Sequence, residues 1–141
     1  MNMNTRTVSD VIVIGAGVAG ASVALRLADA GRHVTVLARH ALEDSASNQA
    51  MGGIAAAIGK DDSPQIHSQD TLKAGDGLAD EQAVHILTDE APSRIADLVD
   101  YRVPFDTLDG EIALTIEAAH SVPRVLHAGG DATGEYIEVT L

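Results

Sequence analysis

The sequence predicts an α/β fold with a parallel sheet, and three observations near the N-terminus predict it. A short apolar strand, Val11 to Ile14, runs directly into the glycine pattern Gly15-x-Gly17-x-x-Gly20. A helix with small apolar residues on one face follows this turn. Residues 34–37, Val-Thr-Val-Leu, then form a second predicted buried strand. Residues 11–38 together therefore predict one Rossmann-like βαβ half.

The glycine turn predicts a binding site for the pyrophosphate of a dinucleotide. Gly15 allows the tight turn, Gly17 lets the backbone approach the phosphates, and Gly20 lets the helix pack closely on the strand. The helix N-terminus faces the anion. The candidate residues are Gly15, Ala16, Gly17, Val18, Ala19 and Gly20. A glycine-rich turn without a ligand is the alternative, and the agreement of strand, spacing and helix favours the site.

Two further positions of this half carry expectations. Ala21, Ala24, Leu25 and Ala28 place small apolar groups on one helix face, and Gly31 is placed to end the helix in the left-handed conformation. The second strand usually ends in Asp or Glu, which binds the ribose. Ala38 and Arg39 stand there instead. The positive charge of Arg39 indicates either a cofactor with an extra phosphate, such as NADP, or a flavoprotein family that uses a basic residue at this position. The pattern does not distinguish between the two.

Composition narrows the possible partners. The chain has 141 residues, 45% of them hydrophobic, and a formal net charge of −12. This charge argues against nucleic acid and anionic membrane partners, which need basic patches. An anionic cofactor must then be held by backbone N–H groups and a helix dipole. Cysteine is absent, which fits a reducing, cytoplasmic location, and the histidines are too scattered to indicate a metal site. No apolar run approaches the ~20 residues of a membrane span.

The middle of the chain predicts a loop followed by helices. Residues 40–66 are loop-rich, and their paired glycines, Gly52 and Gly53, suggest close backbone approach to a ligand, with a flexible turn as the alternative. A short helix is expected over residues 67–74. Asp80 is a predicted N-cap for a helix that extends to about Tyr101, with the apolar stripe Val84, Leu87, Ala91, Ile95 and Leu98. Pro92 predicts either a kink or two helices.

The ends of the chain carry separate expectations. Residues 1–9 are polar and predict a flexible N-terminal tail. Residues 112–115 and 124–128 are strand candidates, and a helix is expected to begin near Gly134, capped by Asp131 or Thr133. The chain reaches Leu141 only about two turns into that pattern, at ~3.6 residues per turn. The domain is therefore expected to be incomplete at the C-terminus.

At five motifs the chain resembles the L-aspartate oxidase family, within the succinate dehydrogenase/fumarate reductase flavoprotein superfamily. The motifs are GAGVAG (15–20), AMGGIAA (50–56), HSQDTLKAGDGLAD (67–80), EAAHS (117–121) and RVLHAGGDATG (124–134). The resemblance implies that residues 10–141 are the N-terminal part of an FAD-binding domain. The capping domain and the C-terminal helical domain of the family would then lie outside these residues.

The resemblance implies a non-covalent FAD site. Residues 16–19 would lie against the pyrophosphate, and Arg39 would lie near the adenosine, where the family usually has Lys. A segment along the flavin side would comprise Ala46, Ser47, Asn48, Gln49, Ala50, Met51, Gly52 and Gly53. Ala46 and Met51 depart from the family pattern. Membrane-bound relatives carry near position 46 a His that bonds covalently to FAD, and Ala46 cannot do so, which favours the L-aspartate oxidase branch.

In EAAHS, the resemblance assigns Glu117 to the amino group of the substrate. His120 and Ser121 would lie near the substrate carboxylates, and a satisfied loop histidine is the alternative for His120. The implied reaction is the oxidation of L-aspartate to iminoaspartate, with oxygen or fumarate reoxidising the flavin. The product would feed NAD biosynthesis, with quinolinate synthase as a partner. The family's catalytic arginine would lie beyond Leu141, so residues 1–141 alone are expected to be inactive.

Two other functions stay open. One is part of a soluble fumarate reductase or succinate-oxidising flavoprotein, and the other is a non-catalytic dinucleotide-binding module. Glu117 discriminates between the first and L-aspartate oxidase, because a dicarboxylate without an amine has no use for this carboxylate.

Overall fold

The computed structural model describes residues 8–39, 41 and 44–141, so residues 1–7 of the expected tail lie outside the described residues. The elements in chain order are β1 (Val11–Ile14), α1 (Val18–Asp29), β2 (Val34–Leu37), β3 (Ile54–Ala55), α2 (Pro64–Ala74), α3 (Glu81–Asp100), β4 (Thr107–Leu108), β5 (Glu111–Ile112), β6 (Val125–Leu126) and α4 (Thr133–Thr140). None of the described helices is long and apolar enough to cross a bilayer.

The N-terminal βαβ half confirms the sequence prediction. β1 and β2 pair in parallel, from Val11 opposite Val34 to Ile14 opposite Leu37. Gly31 has φ +75°, and its N–H donates to the carbonyl of Ala28 just past the end of α1. That left-handed residue reverses the chain after α1 and lets β2 begin three residues later.

The remaining strands leave the parallel sheet. The strand predicted over residues 124–128 is only β6, and it pairs antiparallel with β3. The strand predicted over residues 112–115 is also shorter: β5 pairs with β4 in a hairpin, while Thr115 forms an isolated bridge with Val125. The hairpin turn uses Asp109 and Gly110, both with positive φ, as a two-residue turn with this twist requires.

The helix boundaries follow local capping. α2 begins at Pro64, earlier than predicted, because Oγ of Ser63 accepts a hydrogen bond from the Ile66 N–H at 3.2 Å and proline suits the first helical position. Oδ1 of Asp80 accepts from the Ala83 N–H at 2.8 Å, which confirms this cap for α3. α3 is a single helix that contains Pro92, so the prediction of two helices was wrong.

The start of α4 corrects a second capping prediction. Ala132 is the N-cap and makes no side-chain hydrogen bond to the helix. Oγ1 of Thr133 instead accepts from the Ala128 N–H at 3.1 Å. Neither Asp131 nor Thr133 therefore caps α4, because the Thr133 hydroxyl ties the helix to the end of β6.

The hydrophobic core lies between α3, β6 and α4 rather than around α1. Its buried members are Ala56, Ile95, Val103, Phe105, Leu126, Ala128 and Ile137. Val84 and Ile95 are buried on either side of Pro92, so packing holds the helix together across the proline. Leu87 is 62% exposed, and its place in the predicted buried stripe was wrong. α1 has no fully buried residue.

Candidate functional site

The glycine turn and the end of β2 border an open cavity of about 350 Å³. Its lining residues are Gly15, Ala16, Gly17, Ala38, Arg39, Ala41, Asp44, Ser45, Ala46 and Ser47. Gly15 has φ +109°, a conformation that L side chains rarely adopt. A Cβ on Gly20 would lie 1.9 Å from the carbonyl oxygen of Gly15, so α1 packs directly against the turn. Gly15 and Gly20 are therefore required by the backbone, as the sequence predicted, and the approach of Gly17 to a phosphate stays a prediction.

Ser47 joins the second predicted cofactor segment to this turn. Its Oγ accepts a hydrogen bond from the Val18 N–H at 3.1 Å. A Cβ on Gly17 would lie 2.9 Å from the same oxygen. α1 has no side-chain cap of its own and no acidic residue in its first turn. The hydroxyl of Ser47 thus lies at the positive end of α1, beside the place where an anion is expected.

A second cavity, of about 410 Å³, continues from the first along residues 46–54. Its lining residues are Val18, Ala46, Ser47, Ala50, Met51, Gly52, Gly53, Ile54, Thr133, Gly134 and Ile137. Ala46 and Ser47 border both cavities. We call the two together the long groove. The two adjoining cavities thus connect the glycine turn and Arg39 with most of the 46–53 segment, whereas Asn48 and Gln49 line neither cavity.

The first turn of α4 supports the 46–53 segment, which the sequence reasoning missed. The Gly134 N–H donates to the carbonyl of Ala50 at 3.1 Å. A Cβ on Gly134 would lie 2.0 Å from the carbonyl oxygen of Ser47. Ser45 donates from Oγ to Oε2 of the buried Glu138 at 2.5 Å, and the Asn48 N–H donates to the same Ser45 oxygen at 2.9 Å. Gly134 was visible in the RVLHAGGDATG motif, but nothing in the pattern assigned it to this contact.

The paired glycines have a structural reason within the fold, and their predicted approach to a ligand stays a prediction. A Cβ on Gly53 would lie 2.3 Å from Cγ1 of Val125 and 2.6 Å from the carbonyl oxygen of Leu126. Gly52 has φ +85° and open space around its Cα. The close approach at Gly53 is therefore to β6, and the left-handed turn at Gly52 leads the chain into that contact.

Glu117 is brought to the Gly53 end of the long groove through His127. Oε1 of Glu117 lies 3.2 Å from Nε2 of His127, and the Glu117 side chain is 50% exposed. Cε1 of His127 lies 3.0 Å from the position of a Cβ on Gly53. A half-exposed carboxylate therefore stands one side chain away from the segment expected to follow the flavin.

His120 belongs to a different cavity. That cavity, of about 370 Å³, is lined by Asp70, Lys73, Ala74, Ala119, His120 and Ser121, and it shares no lining residue with the long groove. Nδ1 of His120 lies 3.1 Å from Nη1 of Arg124. A guanidinium only donates hydrogen bonds, so Nδ1 of His120 accepts and a neutral ring carries its proton on Nε2.

A buried ion-pair cluster holds the His120 loop. Arg124 is fully buried and binds Asp62 through two hydrogen bonds and Asp70 through one. Hydrogen bonding to Asp62, which outweighs burial, raises the pKa of Arg124. Burial and the nearby positive charge of Arg124 lower the pKa of His67, whose ring packs edge-on against His120 with 5.6 Å between centroids. These contacts join the loop to α2 and to the segment before it, and the sequence pattern did not reveal them.

Both hydrogen-bond donors of Ser121 are used within this cluster. Its N–H and Oγ both donate to Oδ2 of Asp70, at 2.8 and 2.7 Å. Burial would raise the pKa of Asp70, but the hydrogen bonds from Ser121 and Arg124 outweigh burial and lower it to about 2. The Ser121 hydroxyl proton therefore binds Asp70, and only its lone pairs stay free for a ligand.

Comparison with known proteins gives consistent matches over almost the whole chain. A sequence-family model described as "FAD binding domain" matches residues 10–141. The chain is similar to two L-aspartate oxidases, each aligned over 94% of this chain. It is 51% identical to that of Synechocystis sp. and 45% identical to that of Streptomyces coelicolor. It spans 24% and 23% of these two relatives.

A solved structure is similar as well. Mycobacterium smegmatis Sdh1 in complex with UQ1 superposes with a TM-score of 0.84 at 35% identity. The superposition covers 94% of this chain and 22% of the Sdh1 chain. The chain thus spans about a quarter of the length of the curated relatives and of this structural neighbour.

Proposed function

The chain belongs to the FAD binding domain family, and from this premise we propose that the whole protein oxidises L-aspartate to iminoaspartate. Its cofactor is FAD. FAD supplies an acceptor for two electrons, taken up as a hydride from the substrate. The remaining tasks, which are binding, orientation and proton handling, belong to side chains.

The long groove fits an elongated anionic cofactor. The glycine turn and the N-terminus of α1, whose N-cap residue has no side chain, would hold the pyrophosphate, because backbone N–H groups and the helix dipole favour an anion there. Arg39, at the edge of the same cavity, supplies a positive charge for the adenosine end. Residues 46–53 would line the flavin side. Ala46 has no atom that could bond to the flavin, so the cofactor would be held without a covalent link.

The observation that carries the substrate proposal is the position of Glu117. Its half-exposed carboxylate lies beside His127, whose Cε1 is 3.0 Å from where a Cβ on Gly53 would lie, at the end of the long groove expected to hold the flavin. A carboxylate there would bind the ammonium group of L-aspartate through a charge-assisted hydrogen bond. Succinate has no ammonium group and would gain nothing from Glu117. This difference favours an amino-dicarboxylate over a plain dicarboxylate.

In the proposed reaction L-aspartate loses a hydride and a proton. The Cα–H bond of L-aspartate breaks and its electron pair leaves as a hydride, one N–H bond gives up a proton, and a C=N bond forms. Oxygen, reduced to hydrogen peroxide, or fumarate, reduced to succinate, would reoxidise the flavin. Iminoaspartate would then feed quinolinate formation and NAD biosynthesis, with quinolinate synthase as the partner that consumes it.

The test compares Glu117→Gln with wild type in the whole protein loaded with FAD. We expect kcat/KM for L-aspartate to fall by the value of a charge-assisted bond, about 1.5–3 kcal/mol. Succinate oxidation and fumarate reduction should change less. Glu111→Gln, an exposed carboxylate in the β4–β5 hairpin, is the matched control. If Glu117→Gln loses as much activity with succinate as with L-aspartate, Glu117 has only a structural role. If the wild type prefers succinate, the result supports a dicarboxylate dehydrogenase. If the wild type turns over neither substrate, it supports a non-catalytic binding module.

A further inference from the structure

His127, which directly follows β6, has one ring nitrogen fixed and one available. Its Nδ1 lies 3.2 Å from the carbonyl oxygen of Gly130. Because a carbonyl oxygen only accepts hydrogen bonds, Nδ1 carries a proton. Its Nε2 lies 3.1 Å from Oγ1 of Thr115 and 3.2 Å from Oε1 of Glu117. The atom that can gain or lose a proton is therefore Nε2, and it faces Glu117.

The hydroxyl of Thr115 can serve both protonation states of Nε2. Its Oγ1 lies 3.3 Å from the carbonyl oxygen of Val125 and 3.1 Å from Nε2. When Nε2 is protonated, it donates to Thr115 and Glu117, and the hydroxyl donates to Val125. When Nε2 is unprotonated, the hydroxyl can turn and donate to it. Proton transfer at Nε2 thus leaves the ring hydrogen-bonded without movement of the backbone.

Asp106 fixes the turn on which His127 depends. Its two carboxylate oxygens accept from the N–H groups of Gly129 and Gly130 at 3.0 and 3.1 Å. This clamp aims the Gly130 carbonyl at Nδ1. The Asp106 carboxylate is engaged by these two donors, whereas Glu117 contacts the His127 ring directly. Glu117 is therefore the carboxylate in contact with Nε2 that can pass a proton to it.

Oxidation of an amine imposes a requirement that oxidation of succinate does not. An ammonium nitrogen has no lone pair, so it cannot form a C=N bond while the hydride leaves unless it first gives up a proton. A proton acceptor near the substrate nitrogen is therefore needed, and a general base typically contributes about 10²–10⁴-fold to such a step. A dicarboxylate without an amine has no N–H proton to lose.

We propose that His127 receives, through Glu117, the proton that the substrate ammonium group loses. This inference rests on the proposed function and extends it. The N–H bond of the ammonium breaks, the proton passes to the Glu117 carboxylate, and Oε1 passes it to Nε2 across the 3.2 Å contact. Bound FAD would supply the acceptor for the hydride. After turnover the proton returns through the half-exposed Glu117 to solvent. His127 acts through Glu117, so it is a positioning and proton-storing residue rather than a catalytic one.

The first test is kinetic and uses the whole protein loaded with FAD. His127→Asn keeps an amide donor near the Nδ1 position, toward Gly130, and removes Nε2. We expect L-aspartate oxidation at neutral pH to fall by about 100-fold, because Glu117 can no longer pass the proton on to Nε2. The deficit should shrink as pH rises and more substrate amine is already deprotonated. Fumarate reduction should change by less than about threefold. His33→Gln, at a largely exposed histidine beside Asp10, is the matched control.

The second test asks whether Glu117 and His127 act in series. If they do, the Glu117→Gln, His127→Asn double variant is no slower with L-aspartate than Glu117→Gln alone. Additive losses, or equal losses on L-aspartate and fumarate, would show that His127 is only structural and would overturn the inference. If the wild type oxidises L-aspartate and His127→Asn does so at the same rate, this inference is overturned and the proposed function stands. A wild type that binds FAD but does not oxidise L-aspartate would overturn the proposed function, and this inference with it.

A third readout does not depend on turnover or on a stable variant. The ¹⁵N NMR spectrum of histidine-labelled protein reports which ring nitrogen carries the proton when the ring is neutral. We expect His127 to show the Nδ1–H form, with Nε2 free to accept. An Nε2–H form would leave no lone pair facing Glu117 and would overturn the proposal.

Discussion

Arg124 and Asp62 form a bidentate ion pair, with Nε to Oδ2 and Nη2 to Oδ1 both at 2.8 Å, and their side chains are 0% and 2% exposed. The pair joins the residue before β6 to the loop that enters α2. In this geometry two N–H donors of the guanidinium bind both oxygens of the carboxylate at once. The pair therefore fixes the position of α2 against the strand that leads to His127, although neither residue lines the long groove.

The first prediction concerns the stability of this pair. Asp62→Asn leaves the buried guanidinium with one carboxylate fewer, and breaking a buried pair typically costs about 3–5 kcal/mol of the free energy of unfolding. Urea unfolding followed by circular dichroism measures the change. The matched control is Asp97→Asn, because Asp97 pairs with Arg94 at 2.7 Å on the exposed face of α3. An exposed pair should cost no more than about 1 kcal/mol. Similar losses in both variants would contradict the prediction.

The second prediction concerns acid stability. Hydrogen bonds from Ser121 and Arg124 hold the pKa of Asp70 at about 2, below its ordinary 3.8. A carboxyl whose pKa is lower in the folded state stabilises the fold above the unfolded value, and this contribution is lost as pH falls from 3.8 toward 2. The urea midpoint of wild type should therefore fall across this window.

A matched pair of variants isolates the contribution of Asp70. In Asp70→Asn the urea midpoint should depend less steeply on pH across that window, whereas Asp89→Asn, at an exposed position of α3, should keep the wild-type slope. An unchanged slope in Asp70→Asn would mean that other carboxyl groups cause the acid sensitivity.

The cofactor half of the molecule could be predicted because its signals are local. The Gly15 to Gly20 spacing, the flanking strands and Gly31 are each determined by backbone conformation within a few residues. The supporting contacts could not be predicted in this way. Arg124 meets Asp62 and Gly134 meets Ser47 across long separations in sequence, and a charged residue or a glycine alone does not indicate its distant partner. The antiparallel pairing of β6 with β3 was missed for the same reason.

The third prediction concerns the covalent state of the cofactor. Because Ala46 offers no nucleophilic atom, FAD should be held only by non-covalent contacts. Acid denaturation of the holoprotein, followed by centrifugation, should release all yellow colour to the supernatant. Flavin fluorescence that stays with the polypeptide on a denaturing gel would contradict this expectation.

The fourth prediction uses the close contact between α4 and the 46–53 segment. Gly→Ala inside a helix is usually stabilising by about 0.5–1 kcal/mol, because alanine has less backbone entropy to lose. At Gly134 the added Cβ would lie 2.0 Å from the backbone oxygen of Ser47 and 2.7 Å from that of Ala50, so the segment must move. Overpacking of this kind costs about 1–3 kcal/mol, and we expect Gly134→Ala to lower both the melting temperature and the affinity for FAD measured by fluorescence quenching. Gly59→Ala is the control, since its Cβ would first meet the flexible end of Leu114 at 3.3 Å. If Gly134→Ala binds FAD as tightly as Gly59→Ala, then the close contact at Gly134 does not set the position of residues 46–53.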